Sequence, residues 1–87
     1  MKIIEIKDII RKDVPIYYKR FYTGTLILDV LNKPEEIPVE FNIEQKPTGH
    51  VDINVTITKE IHYPLVPLMK DLKNYIGELD SGRRLPS

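Results

Sequence analysis

Between Pro38 and Lys59 apolar and polar residues alternate strictly, and this alternation restricts the chain more than any other feature. Val39, Phe41 and Ile43 alternate with Glu40, Asn42 and Glu44, and Val51, Ile53, Val55 and Ile57 alternate with Asp52, Asn54, Thr56 and Thr58. A period of two marks strands with one face on a core and one face in water. The segment Lys46-Pro47-Thr48-Gly49-His50 between them has turn composition. The apolar residues are odd-numbered in both strands, so a shared face requires opposed residues to have an even sum. A two-residue loop at 47–48 fails that test. A three-residue loop at 47–49 passes it, setting Ile43 opposite Ile53, Phe41 opposite Val55 and Val39 opposite Ile57. Such a loop is a type I turn followed by a left-handed residue. Pro47 and Gly49 meet those two backbone requirements.

After Pro64 the period changes. Leu65, Leu68, Met69, Leu72, Ile76 and Leu79, together with Tyr75, form one stripe of an amphipathic helix, with Lys70, Asp71, Lys73, Asn74 and Glu78 on the other side. Pro64 or Pro67 suits its first turn, and Gly82 is expected at the left-handed position past its end. Residues 83–87 are expected to fray.

The first 37 residues constrain less. Ile3, Ile6, Ile9 and Ile10 recur at helical spacing, yet they are β-branched. The reading adopted is a strand over Lys2–Ile6 and one helical turn over Asp8–Lys12, capped by Asp8. Ile16 to Leu31 is rich in β-formers and is interrupted at Thr23-Gly24. A two-residue turn there sets Phe21 opposite Leu26 and Tyr17 opposite Val30. A bulge there gives one long bent strand instead. The turn is preferred, because strands usually run 3–10 residues. Asn32 to Ile37 reads as a polar loop around Pro34.

The expectation is therefore an α+β fold: a four- to five-stranded antiparallel sheet of hairpins, with one C-terminal amphipathic helix packed on one face. At 87 residues the chain is one small domain, assigned to residues 1–82. It has no cysteine, so disulfides, cysteine-based zinc sites and thiol nucleophiles are excluded. No apolar run is long enough to cross a bilayer, and no signal peptide is read at the N-terminus. A cytoplasmic protein of bacterial or phage-like economy is expected, with no cofactor. The formal net charge is zero, which argues against duplex nucleic acid as the main partner. Residues 1–33 hold seven basic and four acidic groups, whereas residues 34–62 hold two basic and six acidic ones. Such opposed patches can steer association, although asymmetries of a few charges are ordinary.

Three groups of residues are candidates for function. In the register above, Glu44 lies opposite Asp52 with His50 beside them. That set has the donors for a divalent cation or for acid–base work, but a solvated outer face is the plainer reading. His62 is assigned a structural bond to a backbone carbonyl. The second group is Tyr17 to Tyr22, where aromatics interleave with cations. Tyr18, Lys19, Arg20 and Tyr22 form the candidate platform for single-stranded nucleic acid, with packing as the plainer reading. The third is an apolar set off the core face, Ile16, Ile27 and Leu31, which is the candidate interface. A small non-catalytic interaction module, pairing as a homodimer, is the leading expectation. A single-stranded nucleic-acid binder is second, and a metal-assisted or acid–base enzyme is a distant third.

Overall fold

The computed structural model describes residues 2–61 and 64–86. Four strands and one helix follow in chain order: β1 (Lys2–Lys12), β2 (Lys19–Val30), β3 (Lys33–Gln45), β4 (Val51–Ile57) and α1 (Leu65–Ser81). The strands form one antiparallel meander in sequence order, and α1 packs on one face of it, giving an α+β fold. The β3–β4 register is the one that parity and turn chemistry require, with Val39 opposite Ile57, Phe41 opposite Val55 and Ile43 opposite Ile53. Gly49 takes a φ of 91° and donates to the Lys46 carbonyl at 3.0 Å, closing the turn.

The core lies between the odd-numbered residues of β3 and the stripe of α1. Leu68, Leu72 and Ile76 are buried against Leu26, Leu28, Ile37, Val39, Phe41 and Ile43. The helix begins at Pro64 with no side-chain cap. At its other end Gly82 is not the left-handed residue; Arg83 is, with a φ of 55°. The amides of Arg83 and Arg84 donate to the carbonyls of Asp80 and Leu79 at 3.1 and 2.9 Å, the pairing of a Schellman motif with arginine where glycine is usual. Leu85 then folds back onto the core.

The N-terminal half departs from the sequence reading in three places, each for a definable reason. First, residues 8–12 are not a helical turn. β1 continues to Lys12, and its register against β2 slips between Ile3 and Glu5 and again between Lys7 and Ile10. Asp8 sits at the second slip with a φ of 54°, as the left-handed residue of a bulge. Each extra residue resets the alternation, so Ile3, Ile6 and Ile9 all reach the helix side. A three-residue apolar spacing here comes from a twice-bulged strand.

Second, Thr23-Gly24 is no turn. β2 runs unbroken through it, and Gly24 stands opposite the β1 bulge. A Cβ on Gly24 would lie 2.9 Å from Cγ2 of Ile6, so glycine admits the bulge there. Third, residues 32–37 are not a loop. Leu31 and Asn32, with φ of 52° and 64°, form a type I′ turn, and β3 starts at Lys33. Pro34 and Pro38 are tolerated because they sit at non-hydrogen-bonded positions against β2. Their nitrogens face the β4 side, where β4 has already ended at Ile57, opposite Val39.

Candidate functional site

The carboxylate group predicted on the hairpin assembles as expected but is already occupied by lysines. Glu44 stands opposite Asp52, and Lys46 Nζ bridges the two at 3.4 and 3.2 Å. Those contacts with Asp52 and Glu44 hold Lys46 above the ordinary lysine range. Lys19 adds a third cation, 3.6 Å from Glu44. His50 is exposed at the turn, where its carbonyl accepts from the Lys46 amide at 2.8 Å. Among the described residues no group of three acidic or histidine side chains is arranged around a common metal position. His62 lies outside the described residues.

Lys19 and Lys46 are part of a larger pattern on the face away from α1. Lys7 bridges to Glu36, and Lys12 to Glu40 at 3.1 Å. Both lysines lie on β1 and both glutamates on β3, so each pair reaches across β2. The strand between them offers the small Thr23 and Thr25 on this face, opposite Glu40 and Pro38. The basic first third of the chain and its acidic middle are thus neutralised against each other by the meander.

The aromatic–basic segment is split by the pleat. Tyr22 is 1% exposed and stacks on Phe41, with ring centroids 5.1 Å apart. It lies under α1 and presents no ring to a base. Arg20 faces the same side and is claimed by the helix: it donates to Asp80 at 2.9 Å and to the Tyr22 hydroxyl at 3.2 Å. Partial burial acts against its charge, but the bonds to Asp80 and Tyr22 outweigh this and hold it above the ordinary arginine value. Lys19 lies over the Phe21 ring, 5.7 Å from its centroid. Only Tyr18, with its exposed neighbour Tyr17 edge-on to it, remains open as an aromatic surface.

The three interface candidates do not form a patch. Ile16 precedes β2, Leu31 follows it, and Ile27 lies on its outer face. A strand of 12 residues is about 40 Å long, so Ile16 and Leu31 lie at opposite ends of the sheet. Leu31 is 90% exposed at the turn tip.

Residue-by-residue reading of side chains missed a different surface, the free edge of β4. A sheet edge is a template for pairing unless something blunts it. The β1 edge is blunted: it is bulged twice, has Asp8 in a left-handed conformation, and carries Lys2, Glu5, Lys7, Arg11 and Lys12. β4 has no register slip and no proline, and Asp52 is its single charge. The Lys46–His50 and Thr58–Pro38 backbone bonds show which residues face β3. Antiparallel bonding alternates, so Asp52, Asn54 and Thr56 bond to β3. The N–H and C=O groups of Val51, Ile53, Val55 and Ile57 point outward. Among the described residues, no backbone bond from a loop or the tail reaches them.

A family model matches residues 1–81, which span all four strands and α1. The chain belongs to the BB_0187 family. No curated protein and no solved structure matches it. In this member of the family no helix among the described residues is long and apolar enough to cross a membrane. Beside the β4 edge, Ile57, Ile61, Leu65 and Met69 line a shallow apolar hollow. Val66, at the start of α1, is exposed nearby. The low charge of residues 51–57 and their place as the last strand of a meander were the sequence signals for this edge.

Proposed function

We propose that this member of the family is a small non-catalytic interaction module of the cytoplasm that associates with itself through the open edge of its sheet. The observation that carries the reading is the contrast between the two edges. β1 holds the features that prevent strand addition, whereas β4 is regular, nearly uncharged and unpaired. Strand addition to such an edge draws affinity from main-chain hydrogen bonds and specificity from alternate side chains. The ion pairs on the outer face support the same reading, because they neutralise the surface that would otherwise attract a charged partner.

Sedimentation velocity across the micromolar range tests it. A species of about twice the 10.2 kDa chain mass is expected. A single monomeric boundary at every concentration would sink the proposal.

A further inference from the structure

We infer that the occupant of the β4 edge is a second copy of β4, paired antiparallel about a two-fold axis through Asn54. This rests on the edge-association reading and adds to it the surface and the register. Outward amides and carbonyls belong to Val51, Ile53, Val55 and Ile57, two on each side of Asn54. With the axis at Asn54, Ile53 meets Val55 of the second copy, and Val51 meets its Ile57. Every outward N–H and C=O of both strands is then bonded.

Neighbouring registers do less. A slip of two residues leaves Val51 or Ile57 outside the ladder. A slip of four toward the turn sets Asp52 against its own copy, and like charges directly opposed are destabilising. A slip of one turns the apolar row of one copy to the wrong face. In the Asn54-centred register the strand's lone charge meets Thr56, so the edge does not repel itself.

The helix side has room for this partner. Val51, Ile53, Val55 and Ile57 point toward α1, where Gly77 lies so close to Ile53 that a Cβ on it would be 3.5 Å from Cδ1. The small Gly77 and Ser81 leave an open hollow beside Ile53. Val55 of the second copy arrives opposite Ile53 and enters that hollow, so the two apolar rows continue one core.

The chain has no cysteine, so single cysteines report the register directly. A non-hydrogen-bonded antiparallel pair places Cα atoms about 4.5 Å apart, within the range of a disulfide. In the full chain under mild oxidation, Asn54→Cys is expected to form a covalent dimer. Asp52→Cys and Thr56→Cys are expected to do so only when combined in one chain, and Lys12→Cys on the β1 edge is expected not to. Asn54→Lys, which sets two ammonium groups on the axis, is expected to raise the dimer Kd at least about tenfold. The monomer fold should be retained, since Asn54 is exposed and loses only its bond to Asn42. A dimer in which Asn54→Cys crosslinks no faster than Lys12→Cys, or in which Asn54→Lys leaves Kd unchanged, overturns this register while self-association stands. A chain monomeric throughout overturns both.

Discussion

Gly24 and Tyr22 show how much depends on single side chains in this sheet. Gly24 marks neither a turn nor a bulge of its own strand; it accommodates a bulge in the next one. Cγ2 of Ile6, the atom that a Cβ would meet at 2.9 Å, belongs to a β-branched side chain 7% exposed, and such a side chain has little freedom at χ1. Gly24→Ala is therefore expected to destabilise the fold by roughly 1–3 kcal/mol, despite the better strand propensity of alanine. Urea unfolding with an unchanged m-value is the check. Tyr22 makes a complementary point. Its ring belongs to the core by the pleat of β2, and its hydroxyl is held by Arg20, so an aromatic–basic run that reads as a stacking platform is half structural.

At the scale of elements, what was legible depended on whether a strand alternates cleanly. β4, the second half of β3 and α1 carry complete periodic patterns, and their pairing follows from parity and turn chemistry alone. β1 is illegible because bulges break its period, and the start of β3 is illegible because Lys33-Pro34-Glu35-Glu36 has loop composition. That segment is a strand only because β2 supplies a partner along its whole length. The turn joining them is unusual in placing Leu31 at a φ of 52°. Leucine in the left-handed region is costly, whereas asparagine visits it readily. Leu31→Asn is expected to raise stability by about 1 kcal/mol, seen as a higher urea midpoint. A midpoint unchanged or lowered would mean that the exposed leucine has packing value the turn geometry does not reveal.

At the scale of the molecule, the outer face is a lattice of ion pairs between strands distant in sequence. The bond to Lys7 holds Glu36 below its ordinary value of 4.5, and the reciprocal bond holds Lys7 above 10.5. A carboxylate with a lowered folded pKa contributes stability that is present above 4.5 and lost as pH falls through the folded value. A lysine with a raised pKa contributes stability that is present below 10.5 and lost as pH rises through its folded value. Glu36→Gln is thus expected to melt below the parent at neutral pH, with the two melting curves converging in acid once Glu36 is protonated. Parallel curves from pH 7 to pH 3 would contradict this assignment. High salt should shrink the neutral-pH difference, because exposed pairs are screened.

The candidate site divides along the same line. Alternation is a local property, so the chain by itself determined the Val39–Ile57 hairpin, its register, the Glu44–Asp52 apposition and the helix stripe. Hydrogen-bond direction along β4 also follows locally from the turn. What only the tertiary structure decided is which strands lie side by side and which edges stay open. Edge status is a property of the whole sheet: β4 is an edge because nothing else in the fold reaches its outward amides. The fate of the opposed charge blocks is likewise non-local, since Lys7 and Glu36 meet only when β1, β2 and β3 are laid in order. Tertiary structure thus turned a charge asymmetry into internal ion pairs, and left the regular strand of the best-determined hairpin as the proposed point of contact.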